Sequence, residues 1–177
     1  MWQTAHPHVL NLTAYEPGKP IEELAREMGI DPSKIIKLAS NENPLGPSPA
    51  ALAAMRAALD QAHFYPDGGG YKLRGTIAGQ LGLERGNILL GNGSNEIIEF
   101  IGHAFLKPGD EVVTAKHAFA VYSLMAQLFG AKTVEVEDPG FTHDLPAMLQ
   151  AITPRTRQVF IANPNNPTGT LLRQEAL

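Results

Sequence analysis

The stretch Gly91-Asn92-Gly93-Ser94-Asn95-Glu96 combines residue types and spacing that suit chemistry on a phosphate. It runs into Ile97, Ile98, Phe100, Ile101 and Ala104, apolar positions at helical spacing. A glycine-rich turn entering a helix exposes backbone N–H groups at the positive end of that helix, which favours an anion. Ser94 adds a hydroxyl donor and a candidate cap. No Gly-Lys-Ser/Thr follows, so this is not a P-loop, and the third glycine of the dinucleotide fingerprint is missing. An ordinary glycine-rich turn with a serine cap reads equally well from these residues alone. A second stretch, Asn163-Pro164-Asn165-Asn166-Pro167-Thr168-Gly169, follows the strand candidate Gln158–Ala162. Ligands of parallel α/β sheets bind beyond the carboxyl ends of strands, so its position suits a site. Its prolines stiffen it, and an asparagine amide donates a fixed hydrogen bond; a plain Pro/Asn turn has the same composition. Two further polar loops, Leu38–Gly46 and Tyr65–Gly70, read alone as loop punctuation. His6, His8, His63, His103, His117 and His143 show no metal-ligand spacing, so no metal site is expected.

The elements that must position these loops follow from periodicity and punctuation. Residues 1–19 read as an irregular arm. Pro20 opens a short helix with Ile21, Leu24, Ala25 and Met28 on one face, stopped by Gly29. Residues 35–39 are a short strand candidate, and Ser48 and Pro49 are N-cap and first-turn residues for a helix over 49–62. From residue 70 the pattern predicts helices at 71–81, 94–106, 119–129 and 144–152. These alternate with strands at 87–91, 111–115, 132–137 and 158–162, and Thr168–Leu177 looks like the opening of another helix. Strands separated by helices argue for βαβ units and a mostly parallel sheet with flanking helices.

Bulk properties narrow the function classes. The 177 residues are 44% hydrophobic, with 14 Lys+Arg against 18 Asp+Glu, so the net charge of −4 gives no electrostatic reason to expect nucleic acid or an acidic membrane as partner. There are no cysteines, which rules out disulfides and thiolate metal sites. The N-terminus lacks the basic start and apolar core of a signal peptide, and no apolar run is long enough to span a bilayer, so a cytoplasmic protein is the default expectation.

Four strings in this order, Ser40-Asn41-Glu42-Asn43-Pro44, Tyr65-Pro66-Asp67, Gly91–Glu96 and Pro164–Gly169, resemble those of fold-type I aminotransferases of class I/II, which depend on pyridoxal 5'-phosphate (PLP). The arm Leu12-Thr13-Ala14-Tyr15-Glu16-Pro17-Gly18-Lys19-Pro20 is similar to that of histidinol-phosphate aminotransferases. The resemblance implies an arm and the start of a small domain over 1–48, and about half of a PLP-binding large domain over 49–177. It implies that Ser94 and Asn95 hold the cofactor phosphate, with Gly93 letting the backbone approach, that Tyr122 stacks on the pyridine ring, and that Asn166 hydrogen-bonds its phenolic oxygen. By the same resemblance, Tyr65 reaches the cofactor phosphate of a second subunit in a homodimer. Tyr15 helps to bind the substrate phosphate, also from across the dimer, Asn43 lines the substrate side, and Glu96 follows the phosphate residues in a structural or a functional role. The implied reaction is transamination between glutamate and imidazole acetol phosphate, giving histidinol phosphate and 2-oxoglutarate in histidine biosynthesis.

In the resembled family a Schiff-base lysine lies well beyond the Pro-Thr-Gly string. None of Lys19, Lys34, Lys37, Lys72, Lys107, Lys116 and Lys132 sits in its context, so the catalytic lysine is expected beyond Leu177. The chain is therefore expected to be a truncated, catalytically inactive portion, unstable without the rest. Competing readings are an aromatic-amino-acid aminotransferase, a phosphothreonine decarboxylase-like enzyme, a non-catalytic module holding a phosphate at Ser94 and Asn95, and a mononucleotide-binding α/β domain.

Overall fold

The computed structural model describes residues 4–15 and 18–176. In chain order its regular elements are α1 (Pro7–Leu10), α2 (Ile21–Met28), α3 (Pro49–Ala58), α4 (Tyr71–Leu81), α5 (Ser94–Phe105), β1 (Glu111–Ala115), α6 (Val121–Leu128), β2 (Lys132–Val136), α7 (Leu145–Gln150) and β3 (Thr156–Val159), with short 3₁₀ turns between them. By contacts the chain divides into two units, Met1–Tyr15 with Leu89–Leu177, and Glu16–Ile88.

In the first unit, β1 lies between β2 and β3, all parallel, in the order β2-β1-β3. Val113 pairs with Val134 on one side and Val159 on the other, and a bulge falls between Glu111 and Val112. Every residue of β1 is buried, as expected of the central strand of a sheet covered on both faces. Val112, Val113, Met125, Ala126, Ile98 and Met148 form the core from β1 and the helices around it. Gly102 lets α5 and α6 approach closely: a Cβ there would lie 2.7 Å from the Met125 sulfur and clash with the Phe129 ring. At the amino-terminal end of the sheet, Glu111 accepts hydrogen bonds from the Thr153 hydroxyl and from the Arg155 guanidinium, whose Nε lies 2.9 Å away.

In the second unit, local chemistry sets the helix ends. Ser48 Oγ accepts from the Ala51 amide at 3.1 Å with Pro49 in the first turn, as its sequence predicts. Asp67 accepts from the Gly69 and Tyr71 amides and caps α4, and Gly29 and Gly82 end α2 and α4 with positive φ. Among the described residues of this unit, only Ala25 and Ala78 are buried apolar residues, while Ile36, Leu38, Leu45, Leu59, Phe64 and Tyr65 are exposed.

Several expected elements are corrected. Residues 35–38 and 88–91 form no strand, and no ladder partner meets them among the described residues; an extended segment is a strand only when it is paired. The strand expected at 158–162 begins two residues earlier and ends at Val159, because its pairing with β1 starts at Glu111 opposite Thr156. The arm holds the short helix α1, opened by Pro7. Residues 168–173 are not helical. Asn163 Nδ2 donates to the Leu172 carbonyl at 2.9 Å while its Oδ1 accepts from the Leu172 amide at 2.8 Å, and the Asn165 amide donates to the Thr170 carbonyl. Those bonds hold the segment against its own loop and compete with helix formation.

Candidate active site

The loops that leave the carboxyl ends of β1, β2 and β3 are tied into one polar network. His117, just past β1, places Nδ1 2.7 Å from Oδ1 of Asp138, just past β2, and its backbone amide donates to Oδ2 of the same carboxylate at 3.2 Å. A carboxylate only accepts, so Nδ1 donates this hydrogen bond. Burial alone pushes the Asp138 carboxyl up, but the hydrogen bonds from the His117 ring and amide outweigh it, and the net displacement is downward. Asn165, past β3, is buried and donates through Nδ2 to the His117 carbonyl at 3.0 Å and to Thr168 Oγ1 at 2.9 Å. Thr168 and Thr170 donate to the Phe141 carbonyl in the loop after β2. The Asn165 Oδ1 is buried with no partner among the described residues.

Beside this network lie three rings. Tyr122, in the first turn of α6, stacks flat on Phe160 at 4.2 Å between centroids and 8° between planes, and meets Phe119 edge-on at 5.8 Å. Burial pushes the Tyr122 phenol above its ordinary value.

Ser94 and Asn95 open α5, a helix of 12 residues, as its first two residues. Gly93 is the N-cap residue, with φ of +83°, so Ser94 does not cap the helix as its sequence suggests. Glu96 turns back to accept from the Asn92 amide at 2.7 Å, which fixes the approach of the Gly91–Gly93 turn. A Cβ at Gly93 would meet nothing within 4 Å, so open space adjoins the start of the helix. An uncapped helix start beside open space fits a phosphate, and asparagine and aromatic side chains past the strand ends fit a flat heteroaromatic ring.

Gly93, Ser94, Asn95, Tyr122 and Asn166 therefore belong to one unit, at the starts of α5 and α6 and on the loop past β3. Asn166 is half-buried. Tyr15 belongs to the same unit and is half-exposed. Tyr65 and Asn43 belong to the second unit: Tyr65 is fully exposed, and Asn43 commits both ends of its amide to its own loop, at Leu45 and Gly46. His117, Phe119, Asp138, Phe160 and Asn165 were not candidates from sequence. The available signal was their place, within a few residues of a parallel strand's carboxyl end. Among the described residues no group of three or more His, Cys, Asp or Glu could hold a metal, and no helix is long and apolar enough to cross a membrane.

A parallel sheet with helices between its strands and polar loops at the strands' carboxyl ends defines an α/β protein. The sequence model of the family described as aminotransferase class I and II matches residues 33–177, and the chain belongs to that family. It is 55% identical to histidinol-phosphate aminotransferase of Akkermansia muciniphila over 174 residues, which is 98% of this chain and 48% of the relative. It is likewise 55% identical to histidinol-phosphate aminotransferase 2 of Pseudomonas fluorescens, over 98% of this chain and 47% of that protein. The chain spans about half the length of the curated relatives it matches. Among solved structures it is similar to histidinol-phosphate aminotransferase from Sinorhizobium meliloti in complex with pyridoxal-5'-phosphate, with a TM-score of 0.82 at 27% identity, over 94% of this chain and 44% of that one. The fold is also that of alanine aminotransferase from Pyrococcus furiosus, with a TM-score of 0.77 at 24% identity, over 97% of this chain and 47% of that one. The architecture is that of the fold-type I aminotransferases.

Proposed function

We propose that the protein takes part in PLP-dependent transamination of imidazole acetol phosphate by glutamate, giving histidinol phosphate and 2-oxoglutarate, a cytoplasmic step of histidine biosynthesis. The observation that carries this reading is the start of α5, where Ser94 and Asn95 lead a 12-residue helix from an open glycine turn. The amides and the Ser94 hydroxyl would bind the cofactor phosphate, assisted by the helix dipole. Tyr122, in its cluster with Phe119 and Phe160, would hold the pyridine ring flat, and Asn166 would donate to the phenolic oxygen and so favour its anionic form. The His117–Asp138–Asn165 network keeps the loops that carry these residues in place. When bound, the cofactor's protonated pyridine supplies an electron sink for the substrate carbanion. Across a homodimer, Tyr15 would recognise the substrate phosphate and the exposed Tyr65 would reach the cofactor phosphate, while Asn43 would line the substrate side.

The test is a titration of the full-length protein with PLP, followed by its visible absorbance. Replacing Ser94 and Asn95 together by alanine should weaken binding about tenfold or more, as expected when one or two charge-assisted hydrogen bonds are lost. Unchanged affinity would remove the phosphate assignment. Turnover of histidinol phosphate in preference to phenylalanine or tyrosine would separate the reading from an aromatic-amino-acid aminotransferase. The similarity to histidinol-phosphate aminotransferases at 55% identity favours histidinol phosphate.

A further inference from the structure

The N-terminal arm is seated on α6 at two points. Upstream, α1 rests against the turn that ends α6: Gly130 has a φ of +69°, and a Cβ there would lie 3.1 Å from His8 Nδ1. Downstream, Gln127 reads the arm's backbone. Its Nε2 donates to the Asn11 carbonyl at 2.7 Å, and its Oε1 accepts from the Thr13 amide at 3.4 Å. One primary amide thus grips a carbonyl and an amide two residues apart, just where the arm leaves α1. Leu12, Thr13 and Ala14 line a groove with Asn95, Val121 and Leu124, which brings the arm alongside the start of α5.

We propose that Gln127 is a positioning residue that fixes the register of the arm and thereby places Tyr15 for the substrate phosphate; the second half rests on the role given to Tyr15 above. Tyr15 follows the latched Thr13 by two residues, with half of its surface open. Only one residue separates Thr13 from Tyr15, so a slip of the arm past Gln127 would carry the phenol with it. The amide is the necessary chemistry. A glutamate in its place lacks the donor for Asn11, and a leucine of similar size lacks both partners.

The test compares Gln127→Leu, Tyr15→Phe and the unaltered full-length protein by backbone hydrogen exchange over residues 11–15 and by steady-state kinetics. Leucine is a good helix former, so α6 should persist, and unchanged exchange along 121–128 would verify it. In Gln127→Leu, exchange at 11–15 should quicken about tenfold, and KM for histidinol phosphate should rise by a similar factor with kcat unchanged, as loss of one or two hydrogen bonds that only position a binding group predicts. KM for the co-substrate 2-oxoglutarate, which carries no phosphate, should not move. Unchanged exchange at 11–15 would overturn the latch. Faster exchange with KM raised in Tyr15→Phe but not in Gln127→Leu would overturn the positioning role. Faster exchange with KM unmoved in both variants would overturn the role of Tyr15 and leave the latch standing.

Discussion

Glu111 and Asp138 stand at opposite ends of the sheet, and both are buried carboxylates held below their ordinary range. For Glu111 the Thr153 hydroxyl is the larger cause and Arg155 the next; for Asp138 the hydrogen bonds from His117 outweigh the upward push of burial. A carboxyl depressed in the folded state contributes stability that is complete above its unfolded value and is lost as pH falls through the folded one. Stability should therefore hold near neutrality and begin to decline as pH drops below about 4 to 5, where unfolded carboxylates titrate. Glu111→Gln should flatten that acid limb, measured as the urea midpoint against pH; a limb as steep as the unaltered protein's would refute the assignment. The ring cluster gives a second test at this scale. Tyr122→Leu should weaken PLP binding about fivefold if Tyr122 is the stacking ring, since an aromatic contact is worth about 1 kcal/mol beyond burial. The same loss from Phe119→Leu with Tyr122→Leu silent would move that role to Phe119, which meets Tyr122 edge-on.

Packing of elements is where the sequence was most legible, and where its omissions have physical causes. The helices α2, α4, α5 and α6 and the strands β1 and β2 follow from apolar spacing and glycine stops, because those signals are local. Residues 35–39 and 87–91 carry the same strand-like composition, yet pairing depends on a partner that lies elsewhere in the chain. The Gly91–Glu96 turn was legible as a string. The buried strut made by Asn165 was not, because nothing in the string distinguishes it from Asn166 until the His117 carbonyl is placed 3.0 Å away. Gly102 was equally silent: in sequence it is a weak spot inside α5, and in the fold it is the contact point with Met125 and Phe129. Gly102→Ala should destabilise the protein by about 1–3 kcal/mol, the usual cost of overpacking, although alanine is the better helix former. A rise in the thermal midpoint would show that α5 and α6 can separate without loss.

For the molecule as a whole, the two units differ in how much they bury. The sheet unit has a continuous core, whereas residues 16–88 leave Leu38, Leu45, Phe64 and Tyr65 more than half exposed. Apolar surface of that extent drives association, so chain 1–177 by itself should self-associate, seen as mass growing with concentration in light scattering. A monomer at high concentration with a sharp unfolding transition would contradict this. The sheet unit carries a different consequence. Its three strands and the two helices between them, α6 and α7, occupy one uninterrupted run from Glu111 to Val159, and each strand pairs only within that run. Pairings so near in sequence cost little loop-closure entropy. The run should form first as the chain folds, with truncations at Val112 and Val113 slowing folding far more than they speed unfolding. The strand-end loops would then inherit their positions from the folding nucleus, before any ligand is met.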